Sequence, residues 1–151
     1  MLAVSNSSPL IALQKIGQLG LMEALFTPVI IPPAVAAETA PSLTLPPWIT
    51  VHPLAWPLAP QTMRPVFGRG EREAITLSLE IHAARTILDD EPARWLARQL
   101  GLSVIGTLGI LLAAKRRGLL NAIRPHLDDL LGTSFFVGPE LYERLLLVAG
   151  E

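Results

Sequence analysis

Short apolar runs alternate along this chain with stretches of helical periodicity, and glycine, proline or small polar residues punctuate nearly every change. Leu2 to Ser5 is an apolar run that stops at Asn6-Ser7-Ser8-Pro9, where a capping residue and a proline near a first turn announce a helix. That helix, Pro9 to Ile16, ends at Gly17, and a second piece covers Leu21 to Phe26. Pro28 to Ile31 is rich in β-branched residues and reads as a buried strand, and Pro32-Pro33 starts a helix from Ala34 to Thr39. From Ala40 to Phe67 seven prolines, two tryptophans and one short strand candidate, Ile49 to Val51, indicate an irregular loop.

Gly68-Arg69-Gly70 opens a helix from Glu71 to Ala83. A strand from Arg85 to Leu88, a helix from Pro92 to Leu100 and a strand from Ser103 to Ile105 follow. Thr107 caps a helix through Arg117, a further helix covers Asn121 to Leu131, Phe135 to Val137 reads as a last strand, and Glu140 to Val148 closes the chain as a helix. Strands that are apolar throughout and alternate with helices predict an α/β fold with a largely parallel sheet covered on both faces. The 151 residues suit one domain over 1–151, with 40–67 as its Pro-rich loop.

Half the residues are hydrophobic and 17% are charged, an apolar surplus that favours a homodimer. The absence of cysteine excludes disulfides and thiolate metal sites, which leaves oxygen ligands or three histidines without metal-ligand spacing. The start of the chain reads as a strand rather than a signal peptide, and no stretch reaches the roughly 18 apolar residues of a membrane span, so the expectation is a cytoplasmic protein. A net charge of −1 gives no overall pull toward nucleic acid. Before Arg64 the only lysine or arginine is Lys15, and the bases crowd between Arg64 and Arg124, a run whose commoner reading is solvated helix surface.

In an open parallel sheet ligands collect outside the carboxyl ends of the strands, so the polar residues that follow strands carry the interest. Asn6 follows the first strand, Glu38 lies on the helix after the second, and Asp89-Asp90 follow Ile87-Leu88. Glu38 stands three residues after Val35, on the side expected to be buried, where a carboxylate needs a partner, an arginine or a metal. Glu71 shares a helical face with Ala74, Ile75 and Ser78 and is expected to point inward, whereas Glu73 lines up with Thr76 and Glu80 on a stripe expected to be solvated. Each acid also has a plain structural role open to it: Asp90 as a helix cap, Glu71 as a first-turn stabiliser. Carboxylates with amide or hydroxyl oxygens form the hard setting suited to Mg²⁺ or Mn²⁺, ions that activate water for phosphodiester cleavage.

Taken in order, Asn6 to Leu13, Val29-Ile30-Ile31-Pro32, Gly70-Glu71-Arg72-Glu73-Ala74-Ile75, Leu88-Asp89-Asp90 with Ala93-Arg94, and Gly101-Leu102 through Val104 to Gly109 resemble a PIN-domain branch related to VapC-type toxins. The resemblance implies a PIN-like α/β/α sandwich, a Mg²⁺- or Mn²⁺-dependent endoribonuclease and, in many relatives, a partner antitoxin. It places metal ligands at Asn6, Glu38, Glu71 and Asp89, catalytic acids at Glu38, Glu71, Asp89 and Asp90, and a supporting role at Thr107. PIN nucleases usually carry aspartate after the first strand. Asn6 supplies an oxygen without the negative charge, so the alternative expectation is a weakened PIN-like module that binds RNA or protein.

Overall fold

The computed structural model describes residues 1–56 and 66–151. Five short strands form one sheet: β1 (Ala3–Ser5), β2 (Val29–Ile31), β3 (Ile49–Val51), β4 (Arg85–Ile87) and β5 (Val104–Ile105). All pairings are parallel and the spatial order is β3-β2-β1-β4-β5, so the chain builds outward from β1 first one way and then the other. That reversal leaves a crevice at the carboxyl ends of β1 and β4, where ligands bind in sheets of this kind.

The helices are α1 (Ser7–Lys15), α2 (Gly20–Leu25), α3 (Pro33–Thr39), α4 (Arg69–Glu80), α5 (Glu91–Gln99), α6 (Thr107–Arg116), α7 (Arg124–Leu131) and α8 (Pro139–Val148). Side chains alternate across the pleat, and the two faces bury different partners. Ala3, Val29, Ile31 and Ile87 pack with residues of α1, α2, α6, α7 and α8, while Val4 and Ile30 meet Ala74 and Leu77 of α4. A third cluster joins Ile75 and Leu88 to Ala93, Leu96 and Ala97 of α5. Helices therefore cover both faces, which is why the inner strand β2 is apolar throughout and fully buried. Gly17 and Gly118 follow α1 and α6 with φ of +70° and +74°, the left-handed geometry that ends a helix at low cost in glycine.

Three sequence expectations are corrected. Phe135 to Val137 is not a strand: Phe135 is half-buried against the core, Phe136 is exposed and Val137 is buried, and no strand pairs with them among the described residues. The seventh helix begins at Arg124 rather than Asn121, with Pro125 in its first turn. Glu73 is not solvated. Thr76 is buried with it, because α4 is flanked by the sheet and by α3 and so buries two faces rather than one. Within the Pro-rich stretch 40–67, Ile49–Val51 forms the expected edge strand, and residues 57–65, with Arg64, lie outside the described residues. No helix among the described residues is long and apolar enough to cross a membrane.

Candidate active site

Asn6 leaves β1 at the crevice, its N–H bound to the carbonyl of Ile87 at 3.0 Å. It stands at the N-cap position of α1 in extended geometry, yet its side chain makes no capping bond. Asparagine favours that position by accepting from the first helical amides. Here the residue is 3% exposed, and Oδ1 has no hydrogen-bond partner. A buried carbonyl oxygen without a donor costs roughly 1–3 kcal/mol, so this atom is a candidate for a ligand.

Asp89 follows β4 on the neighbouring strand. The N–H of Thr107 donates to Oδ1 at 2.7 Å and its hydroxyl to Oδ2 at 2.6 Å. Gly106, not Thr107, is the N-cap of α6; Thr107 is the first helical residue and spends its hydroxyl on Asp89. Arg94 donates from Nη1 to the Leu88 carbonyl at 2.8 Å. A Cβ at Gly106 would lie 2.7 Å from that Nη1 and 2.8 Å from Asp89 Oδ1, so only glycine lets these groups close around the end of β4. Burial pushes the Asp89 carboxyl above its ordinary value, opposed by the Thr107 bonds and the Arg94 charge.

Glu71 sits in the first turn of α4 and reaches back to the Gly68 N–H through Oε2 at 2.9 Å, the acidic half of a capping box. Partial burial raises its carboxyl, Gly68 opposes this, and the charges of Asp90 and Glu38 raise it further. Asp90 is the N-cap of α5, accepting from the Ala93 N–H at 3.2 Å. Glu71, Asp89 and Asp90 line one cavity of about 450 Å³, together with Ser8, Ile11, Lys15 and residues 133–136.

Glu38 departs from expectation. It is exposed, it does not line that cavity, and its partners are not an arginine: Ser7 Oγ donates to Oε2 at 2.7 Å and the Gly70 N–H to Oε1 at 3.0 Å. It stands across Gly70 from Glu71, close enough for its charge to be felt there. Glu73, expected in solvent, accepts from the Ala34 N–H through Oε1 and from Arg69 Nε through Oε2, both at 3.0 Å, and so ties α3 to α4. Among the described residues no three acids or histidines are near enough to hold a metal ion by themselves.

A family model described as PIN domain matches residues 2–151. The chain belongs to the PIN domain family. A PilT N-terminus domain protein from the hyperthermophilic archaeon Sulfolobus solfataricus shares the fold, with a TM-score of 0.57 and 18% identity over 76% of this chain and 93% of that one. No protein of curated function matches. The PIN domain family commonly includes nucleases and RNA binders and generally uses divalent cations.

The donor set of this PIN domain is tested by its own atoms. A carboxylate offers about four lone-pair directions, and each oxygen of Asp89 accepts only one bond, so both acids and the unpartnered amide oxygen of Asn6 retain acceptor capacity. All are hard oxygens, and a cation among them would offset the like-charge repulsion that adds to burial in raising Glu71. By donor chemistry the set suits a cation, with one carboxylate fewer than an aspartate after β1 would give, although Asn6 is not among the residues that line the cavity shared by Glu71 and Asp89. Sequence reasoning missed Ser7, Gly70 and Gly106 as groups that orient the acids; the signal for the glycines was their position beside acids or a strand end, and Ser7 carried none.

Proposed function

We propose that this PIN domain is a divalent-cation-dependent endoribonuclease, with Asn6, Glu71 and Asp89 as the groups that hold the cation, Glu38 adding charge from across Gly70, and Asp90 flanking the cavity. The observation that carries the reading is Asn6 Oδ1, buried at the carboxyl end of β1 and left without a donor beside the Asp89 strand. Bound there, Mg²⁺ or Mn²⁺ would activate water and stabilise the oxygen that leaves phosphorus. The protein's own part is orientation: Thr107 fixes Asp89, the Gly68 amide fixes Glu71, and Ser7 with Gly70 fixes Glu38. Hydrogen bonds of this outer kind set ligand direction and are costly to remove.

Cleavage of single-stranded RNA in Mn²⁺, abolished by chelator and in Asp89→Asn, is the expected result. Cleavage that persists in both would overturn the mechanism. A toxin role brings the further expectations of a partner antitoxin and of a homodimer, for which exposed Leu141, Leu147 and Val148 of α8 offer apolar surface.

A second reading has its own observation. With asparagine at position 6 and, among the described residues, no three acids near enough to hold a metal ion by themselves, the chain on this reading is a PIN domain that binds RNA or protein without cutting. Asn6→Asp separates the two: a gain of cleavage from an inactive native chain favours this second reading, and equal cleavage before and after favours the first.

A further inference from the structure

The cavity that the acids line has aromatic residues in its wall as well. Phe135 and Phe136 line it, on the segment between α7 and α8. Phe135 packs against the core and Thr133 Oγ accepts its N–H at 3.1 Å while donating to the Leu130 carbonyl at 2.6 Å, so the backbone carrying Phe136 is pinned. Phe136 itself is 85% exposed, more than any other large apolar side chain among the described residues. Its ring atoms Cε1 and Cζ rest over Gly138, at 3.8 and 4.0 Å from where a Cβ would stand. Isolated exposed apolar residues need no explanation, but a pinned aromatic at the mouth of a charged cavity has a use for its free face.

Lys15 lines the same cavity from the last turn of α1. It is exposed, forms no ion pair among the described residues, and is the one cation on the cavity wall among them. A lysine at a helix end suits the helix dipole, which accounts for its place on α1 but not for its share in a cavity lined by acids.

We infer that Phe136 stacks on an unpaired RNA base and Lys15 meets a backbone phosphate, two contacts that hold the strand beside the acids. The inference rests on the ribonuclease reading and adds to it the two residues that bind the strand. Every base has a π-face, so such a platform tolerates sequence, whereas bases inside a duplex are already stacked on one another and offer no face. The cavity volume lies in the range of about 300–1,000 Å³ typical of small-ligand sites.

The test is fluorescence anisotropy of the full chain with a labelled single-stranded heptaribonucleotide and with its duplex. Ca²⁺ serves as an oxygen-seeking cation, and gels report any cleavage. Phe136→Ala and Phe136→Leu are expected to weaken single-strand binding by roughly 5- to 150-fold, with Phe136→Trp at least as tight as native. Lys15→Gln is expected to lower the salt slope by about 0.7. Phe136→Leu binding as tightly as native, or native binding to duplex as tight as to single strand, overturns the inference while native RNA cleavage leaves the ribonuclease reading standing. A native chain that neither binds nor cuts RNA sinks both. Loss of a dimer in Phe136→Ala, seen by sedimentation with RNA affinity unchanged, assigns Phe136 to a protein interface and overturns the stacking role.

Discussion

Thr107 holds the two carboxylate oxygens of Asp89 separately, its N–H on Oδ1 and its hydroxyl on Oδ2. The amide bond survives any substitution that keeps α6, and the hydroxyl bond does not. Thr107→Val should therefore cost about 1.5–3 kcal/mol in urea unfolding, the range for a hydrogen bond to a charged group, and Thr107→Ser should restore most of it. Because that hydroxyl lowers the Asp89 carboxyl, its loss pushes the group further up, and calorimetry should find weaker Mn²⁺ binding at fixed pH.

Glu71 gives a pH prediction whose sign is opposite to the usual carboxylate case. Its folded value lies above its unfolded value, so the native state holds more protons between the two and stability falls as pH rises through the folded value. Glu71→Gln keeps an acceptor for the Gly68 amide and removes the charge. In chelator at neutral pH it should match or exceed the native chain by up to about 1 kcal/mol, with the gap closing below the ordinary glutamate range. Thermal melts across pH check this, and saturating Mn²⁺ should reverse the ranking.

Asn6→Asp places a carboxylate where the side chain is almost fully buried beside the Asp89 strand. Without a cation the melting temperature should fall, because a buried uncompensated charge is costly. With Mn²⁺ the loss should be recovered and the cation bound about 10-fold more tightly, roughly 1.4 kcal/mol. Equal Mn²⁺ affinity in the two chains would remove Asn6 from the ligand set.

Gly70→Ala separates stability from the site. The new Cβ would fall 2.5 Å from Glu38 Oε2, and a side-chain end can swing away. Alanine is the better helix former by about 1 kcal/mol, so unfolding should show little net loss while Glu38 is displaced and Mn²⁺-dependent cleavage falls.

Glu73→Ala should do the reverse. It orphans the Ala34 amide at the start of α3 and releases Arg69, at a cost of about 1–3 kcal/mol, while cleavage per folded molecule persists. Glu73→Gln, which can still accept from Ala34, should cost less.

The layering was legible in the chain because it is written in short-range pattern: Val29-Ile30-Ile31 carries no polar residue since both sides of β2 are covered, and Gly17 and Gly118 stop their helices for a local backbone reason. The family and its fold were legible from the order of the motifs. The site was legible only in part. Glu71, Asp89 and Asp90 do line one cavity, but periodicity along α4 assumes one buried face and so misassigned Glu73, whose partner amide lies 39 residues away. Glu38 was misplaced for the same reason: three residues after Val35 puts it near a buried stripe, but its partners, Ser7 and the Gly70 amide, belong to other helices. Such contacts leave no trace in local spacing.

The strand order has a wider meaning for this molecule. A crevice between β1 and β4 comes from the direction in which the chain is wound, not from any acid inside it. Winding and charge are therefore separable: Asn6→Asp would alter the charge at the end of the central strand without disturbing the strand order that makes the crevice.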